Sequence, residues 1–286
     1  MKSLDEADFT IIGLGLMGAS LAAALRPHCR SILGVDLDDE ALRWCKAQRW
    51  IDEGYQHPEQ AVSHADVVVL ATPVRAILGL LDTVPDYLRP GTILTDLGST
   101  KVAICQKMQE LPTYIQAVGG HPLCGREVSG ASYADPRLFQ DRTFVLVPTS
   151  RTSPEALALL EQMVSTIGAH PMHMNAEIHD RLVAITSHLP YLVACTLTRT
   201  AAQAPDPDDL LRRLAASGFR DTSRLAGSDV RMMIDILQTN RGNILEGLEI
   251  YLQALQDLIN ILAEGGEEDL KIWLENAQET RRRLVT

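Results

Sequence analysis

The sequence predicts an α/β domain with a mostly parallel sheet, followed by an all-helical domain. Three observations carry this. DVVVLATP (66–73) is a nearly continuous apolar run, as expected of a strand buried on both faces of a parallel sheet. Short apolar runs alternate with helix-patterned stretches through the first half, which implies βαβ units with right-handed crossovers. From about Asn175 the chain reads almost entirely helical.

In chain order, FTIIG (9–13) is an apolar run ending in glycine, and SILGVD (31–36), DVVVLATP (66–73) and TILTD (92–96) repeat the pattern. Helical stretches occupy residues 16–26, 38–48, 74–84 and 100–110. FVLVPT (144–149) is a late strand, and the helix behind it starts at Pro154, a residue suited to the first helical position. The expected division is residues 1–170 and 171–286. In the second part APDPDD (204–209) reads as a loop before a helix. Ile244, Leu248, Tyr251, Leu255, Leu258 and Leu262 are spaced 4, 3, 4, 3, 4, a heptad-like seam. Such a seam suits a helix-to-helix homodimer contact, or an ordinary core-facing helix.

Composition bounds the function. The 286 residues allow one large domain or two ordinary ones and a sizeable core. A net charge of −11 argues against nucleic acid as a partner, since a phosphate backbone needs a basic footprint. It leaves room for a small anionic ligand gripped by local donors. MKSLDEADF has the character of neither a signal nor a transit peptide, and no run of about 18 apolar residues predicts a membrane span. Five widely spaced cysteines (29, 45, 105, 124 and 195) without a CxxC suggest reduced thiols and a cytoplasmic protein.

GLGLMG (13–18) follows the first strand and opens a helix, the context that gives GxGxxG its meaning. Gly13 allows the tight turn, Gly15 lets backbone approach a pyrophosphate, and Gly18 lets helix pack on strand. Leu16 and Met17 complete the segment, whose free N–H groups would face the phosphates. Thr72 and Pro73, at the end of the third strand, join this expected cofactor set. Asp36 ends the second strand, 18 residues beyond Gly18, where a carboxylate can accept from both adenosine ribose hydroxyls. A 2′-phosphate there would meet negative charge, and Leu37, Asp38 and Asp39 supply no arginine. The expected domain is Rossmann-type and the expected cofactor NAD rather than NADP.

Three segments would gather polar groups at the strand ends. DLGSTK (96–101) presents Ser99, GGHPLCGREVSG (119–130) presents His121 and Glu127, and SHLPYL (187–192) places His188 just before Pro190. Histidine is the side chain best suited to taking a proton near neutral pH, and the glycines beside His121 would admit a ligand close to the backbone. His188 could equally hydrogen-bond a carbonyl freed by Pro190. The other histidines, HPMH (170–173) included, show no metal spacing, so no metal is expected. SGFRDTSRLAGSD (217–229) carries Arg220 and Arg224, either of which could grip a carboxylate or serve in a capping or docking cluster.

GLGLMG is similar to the opening of the β-hydroxyacid dehydrogenases, which use a lysine on the interdomain helix. This chain has no lysine between Lys107 and Lys271. GLGLMGASLA, DLGSTK, GGHPLCGREVSGA, SHLPYLVA and GFRDTSRLAGSD, in that order, resemble the prephenate/arogenate dehydrogenase family of tyrosine biosynthesis along almost the whole chain. The resemblance implies NAD-linked oxidative decarboxylation of prephenate, with arogenate as the alternative substrate. It implies His121 as the base on the ring 4-hydroxyl and Ser99 as the bridge between that histidine, nicotinamide and substrate. It implies Glu127 in gating, with His188 and Arg224 in the substrate pocket and the arginine on a carboxylate. The heptad-like seam, apart from the resemblance, leads to the expectation of a homodimer through the helical domain. Arg126 and Cys124 depart from many relatives; Arg126 could grip a substrate carboxylate, or pair with Glu127 or a surface acid. With the chain ending near residue 286, any tyrosine inhibition is expected at the active site.

Overall fold

Strand patterning in the first half builds a single eight-stranded sheet in the computed structural model, which describes residues 3–205 and 210–285. Its strands are β1 (Asp8–Ile12), β2 (Ser31–Val35), β3 (Glu53–Tyr55), β4 (Val67–Leu70), β5 (Ile93–Asp96), β6 (Gln116–Pro122), β7 (Thr143–Pro148) and β8 (His170–His173). Their order is β3-β2-β1-β4-β5-β6-β7-β8. All pairs are parallel except β6 with β7. The order reverses between β1 and β4, and ligands bind outside the strand ends at such a switch point.

Both faces of this sheet are covered, which explains the apolar run at 66–73. Val67 and Val69 pack with Phe9, Ile11 and Leu21 on one side. Val68 and Leu70 pack with Ile77, Leu94 and Ile104 on the other. The covering helices are α1 (Leu16–Leu25), α2 (Asp39–Ala47), α3 (Val74–Thr83), α4 (Val102–Glu110) and α5 (Pro154–Thr166). Local caps set their starts: Asp38 accepts from the Glu40 N–H, and Ser153 accepts from the Ala156 N–H with Pro154 at the first position.

Three strands lack the pattern sought in the sequence. β3 is a three-residue edge piece, and β8 is an exposed edge strand made of HPMH. The third, β6, contains His121 within GGHP. That stretch is a strand because β5 and β7 bracket it, and packing there demands glycine. A Cβ on Gly119 would stand 2.7 Å from Cys105 Sγ, and one on Gly120 would stand 2.3 Å from the Asp96 carbonyl oxygen. The glycines beside His121 therefore fit the protein's own atoms, which corrects the expectation that they clear space for a ligand.

Beyond β8 the chain is helical: α6 (Ala176–Val183), a π-helical turn (Ala184–His188), α7 (Leu189–Gln203), α8 (Leu210–Leu214), α9 (Ser217–Ser223), α10 (Val230–Thr239), α11 (Arg241–Glu264) and α12 (Glu267–Val285). The expected loop APDPDD lies, from residue 206 to 209, outside the described residues. The chain separates into two compact units, Met1–Asn240 and Arg241–Thr286. In the second, α11 packs on α12 while Tyr251, Leu255 and Leu262 of the heptad-like seam stay exposed. No helix among the described residues is long and apolar enough to cross a membrane. The five cysteines are free thiols.

Candidate active site at the strand ends

The glycine turn after β1 is built as its spacing requires. Gly13 has φ +96°, and a Cβ there would press within 2.7 Å of the Ala71 carbonyl. A Cβ on Gly18 would lie 1.9 Å from the Gly13 oxygen, so α1 packs directly on the turn. Gly15 has nothing within 4 Å, which leaves its side of the turn open. Leu16 and Met17 form the first helical positions behind it. Asp36, just past β2, accepts from the Leu14 N–H (2.6 Å) and the Asp38 N–H (2.9 Å), so its carboxylate is held beside the turn. Pro73 starts α3, and the buried Thr72 hydroxyl has no hydrogen-bond partner among the described residues. An open glycine, a fixed carboxylate and an orphaned hydroxyl together fit a dinucleotide.

At the ends of β5 and β6, Lys101 and Asp96 form a fully buried ion pair. Lys101 Nζ also donates to the Gly120 carbonyl (2.7 Å). Asp96 accepts from the Gly98 N–H (2.7 Å) and the Gly120 N–H (3.0 Å). This knot ties the loop carrying half-buried Ser99 to the strand carrying His121.

His121 stands near the carboxyl end of β6, with Nδ1 2.8 Å from His179 Nε2 and the two rings edge to face. His179 Nδ1 lies 2.7 Å from Asp180 Oδ1. Burial holds the His121 ring well below its ordinary pKa, aided by His179, Lys101 and His188. Its ring is therefore neutral at pH 7. His188 closes the π turn, where the Leu189 N–H reaches back to the Ala184 carbonyl. Its ring is buried, with Nδ1 3.2 Å from Asn240 Nδ2, so its partner is an amide and not a carbonyl freed by Pro190. Burial pushes its pKa down to about 4.

Arg224, in a 3₁₀ turn after α9, forms an ion pair with Glu127 from the loop after β6, and both remain partly exposed. Arg126 instead pairs with Asp135 (2.8 Å), a surface acid, which decides among its open roles. Arg220 donates to the Ala215 carbonyl (3.1 Å) near its own helix start, the capping role. No group of three or more His, Cys, Asp or Glu side chains among the described residues converges as a metal site.

Sequence reasoning passed over His179, Asp180 and Asn240. One signal was present. Ala176, His179, Asp180 and Val183 are spaced as one helical face, and all are buried. Two polar residues on an otherwise apolar stripe require partners.

Comparison with known proteins bears on the whole chain. Residues 21–173 match the family model described as prephenate dehydrogenase, nucleotide-binding domain, and residues 175–276 match prephenate dehydrogenase, dimerization domain. The chain is 33% identical to the cyclohexadienyl dehydrogenase of Zymomonas mobilis, over 96% of this chain and 95% of that one. It superposes with TM-score 0.91 on the prephenate dehydrogenase of A. aeolicus, solved with hydroxyphenyl propionate and NAD+, at 30% identity over 99% and 100% of the two chains. With the arogenate dehydrogenase of Synechocystis the TM-score is 0.84, at 32% identity over 97% and 100%.

Proposed function

The chain belongs to the prephenate dehydrogenase family, and on that premise we propose that it is an NAD-dependent prephenate dehydrogenase, forming 4-hydroxyphenylpyruvate and carbon dioxide in tyrosine biosynthesis. The observation that carries this is His121: a neutral imidazole at the end of β6, joined through the Lys101–Asp96 knot to the Ser99 loop.

The residues fit NAD as described above. Gly13, Gly15, Leu16, Met17 and Gly18 would hold the pyrophosphate, Asp36 the ribose, and Thr72 and Pro73 the rim of the site. When bound, NAD supplies the acceptor for the hydride leaving C4 of the substrate ring. His121 takes the proton of the ring 4-hydroxyl as that hydride departs. The electrons of the C1–carboxylate bond then enter the ring, carbon dioxide leaves, the ring becomes aromatic, and the phenolate oxygen regains a proton. Ser99 orients His121 against the substrate, and His188 and Arg224 hold substrate anionic groups. Where Arg224 turns its fork fully onto a substrate carboxylate it loosens its pair with Glu127, which gives Glu127 its gating role. In this reading residues 1–170 bind dinucleotide, and residues 171–286 supply substrate contacts and the dimer interface. Two exposed seams on α11 would meet in a cytoplasmic homodimer.

Arogenate is the second reading, favoured by the likeness to the Synechocystis enzyme. Its ammonium would need an acid, and Glu127, paired with Arg224 until the substrate arrives, is the one obvious candidate. Steady-state assays of NADH or NADPH formation with each substrate decide the matter. A kcat/KM at least tenfold higher for prephenate with NAD is expected; turnover of neither substrate would overturn the assignment.

A further inference from the structure

His179, Asp180 and Asn240 touch no substrate in the reaction above, yet each polar side chain is almost wholly buried, at 1%, 1% and 3% exposure. Each of their hydrogen bonds has a direction, because it ends on a group that can act in only one way. Asp180 accepts the Lys101 N–H on Oδ1 (2.7 Å) and the Val102 N–H on Oδ2 (2.9 Å). Those amides open α4, where the helix dipole favours negative charge. The carboxylate is thus an acceptor, and His179 Nδ1, 2.7 Å from Oδ1, must carry the proton. In its imidazole form, His179 then keeps its lone pair on Nε2. His121 Nδ1, 2.8 Å away, must donate to that lone pair. The lone pair of His121 is left on Nε2.

A second arm starts from the main chain of the same residue. The Asp180 carbonyl can only accept, so Asn240 turns its NH2 toward it at 2.6 Å. That NH2 also lies 3.2 Å from His188 Nδ1, which must therefore accept. His188 carries its proton on Nε2.

We propose that Asp180 is a positioning residue that sets the two site histidines in opposite tautomers, through His179 on one side and Asn240 on the other. His121 is left with a proton-accepting Nε2, as a base on a hydroxyl needs. His188 is left with a proton-donating Nε2–H, as a contact to an anionic group needs. The carboxylate also stabilises the imidazolium that forms when His121 takes a proton, acting through His179 as the acid of a catalytic triad acts on its histidine. Among the described residues the charged or titratable groups facing His121 are His179 from α6, Lys101 before α4 and His188 from the π turn, so none of them is a competing carboxylate.

The proposal rests on His121 being the base, and the readouts separate the two. Nitrogen NMR of histidine-labelled protein at neutral pH reports each tautomer whether or not the enzyme turns over. Wild type should show His121 protonated on Nδ1 and His188 on Nε2; the reverse at either ring overturns the proposal. His179→Phe leaves the Asp180 cap on α4 in place and removes both the acceptor for His121 and the donor to Asp180. It should shift His121 toward the Nε2–H form and lower kcat about 10–100-fold with little change in KM. His179→Gln, which can accept from His121 and donate to Asp180, should restore the tautomer and most of kcat. Asn240→Leu should shift only His188. An unchanged His121 spectrum in His179→Phe would make His179 merely structural and sink the idea. If His121→Asn turned over normally, the base assignment would fall while the spectra still decided the tautomers.

Discussion

Lys101→Met would test the knot that joins the two halves of the site. Lys101 and Asp96 are both fully buried, and the ammonium also serves the Gly120 carbonyl. Methionine keeps the length and apolar stem but deletes the charge and its donors. Asp96 would keep two amide partners, from Gly98 and Gly120, and lose its ion pair with Lys101. Breaking one side of a buried pair costs about 3–5 kcal/mol, because the remaining charge stays desolvated. Domain stabilities are about 5–15 kcal/mol, so the variant should fold but melt at markedly lower urea. Urea unfolding followed by tryptophan fluorescence measures the loss. The double variant with Asp96→Asn should lose about 1–3 kcal/mol less than the sum of the singles. Function should fall too, since Gly120 precedes His121 and Ser99 sits between Gly98 and Lys101. With the nearby cation gone, the His121 pKa should rise, moving the acidic limb of kcat/KM to higher pH. A loss under about 1 kcal/mol, or strict additivity in the cycle, would refute the argument that this pair is buried and uncompensated.

Five further outcomes follow from the site. His121→Asn should lower kcat by about 10²–10⁴ with a modest change in KM; near-normal turnover would remove His121 as the base. In wild type the His121 ring is held well below 6.5, so kcat/KM should stay level as pH drops through 6.5, and a midpoint at or above 6.5 would contradict its burial. For His188, burial lowers the folded pKa to about 4 from 6.5, so the unfolded chain binds the extra proton. Its contribution is complete above pH 6.5 and is lost as pH falls, by about 3 kcal/mol at pH 4, which urea titration at several pH values in a His188→Gln comparison would check. Asp36→Ser with Leu37→Arg should turn the preference from NAD toward NADP, and a wild type already faster with NADP would undo the reading of Asp36. Arg224→Ala should chiefly raise KM, and an unchanged KM would move the carboxylate contact to another arginine.

What the sequence made legible was local. GLGLMG, Asp36 and the run at 66–73 each owe their meaning to neighbours within one turn or one strand, and all stand where the spacing puts them. His121 was identifiable too, but its surroundings were not. Gly119 and Gly120 looked like clearance for a ligand, whereas the atoms that crowd them are Cys105 Sγ and the Asp96 oxygen, far away in sequence. The strand itself was hidden for the same reason. AVGGHP has no alternation to read, and β6 exists because β5 and β7 bracket it.

His179 shows the same division at the level of chemistry. A histidine on an amphipathic helix has the same sequence pattern whether its ring is idle in the core or bonded to a base on another element. Testing histidines only for metal spacing could not separate these cases, because the partner of His179 is a single ring 58 residues upstream. The neighbouring acid was the better clue: Asp180 and His179 adjoin on a buried face, and a buried carboxylate must be used by something. In this fold the carboxylate is used twice, to cap α4 and, by the bonds traced above, to orient one histidine, while the backbone carbonyl of the same residue orients the other. Capping alone would explain an aspartate at 180 but not the polar His179 and Asn240 buried on either side of it. Their burial is offset by hydrogen bonds, and those same bonds impose on His121 and His188 the directions the site requires.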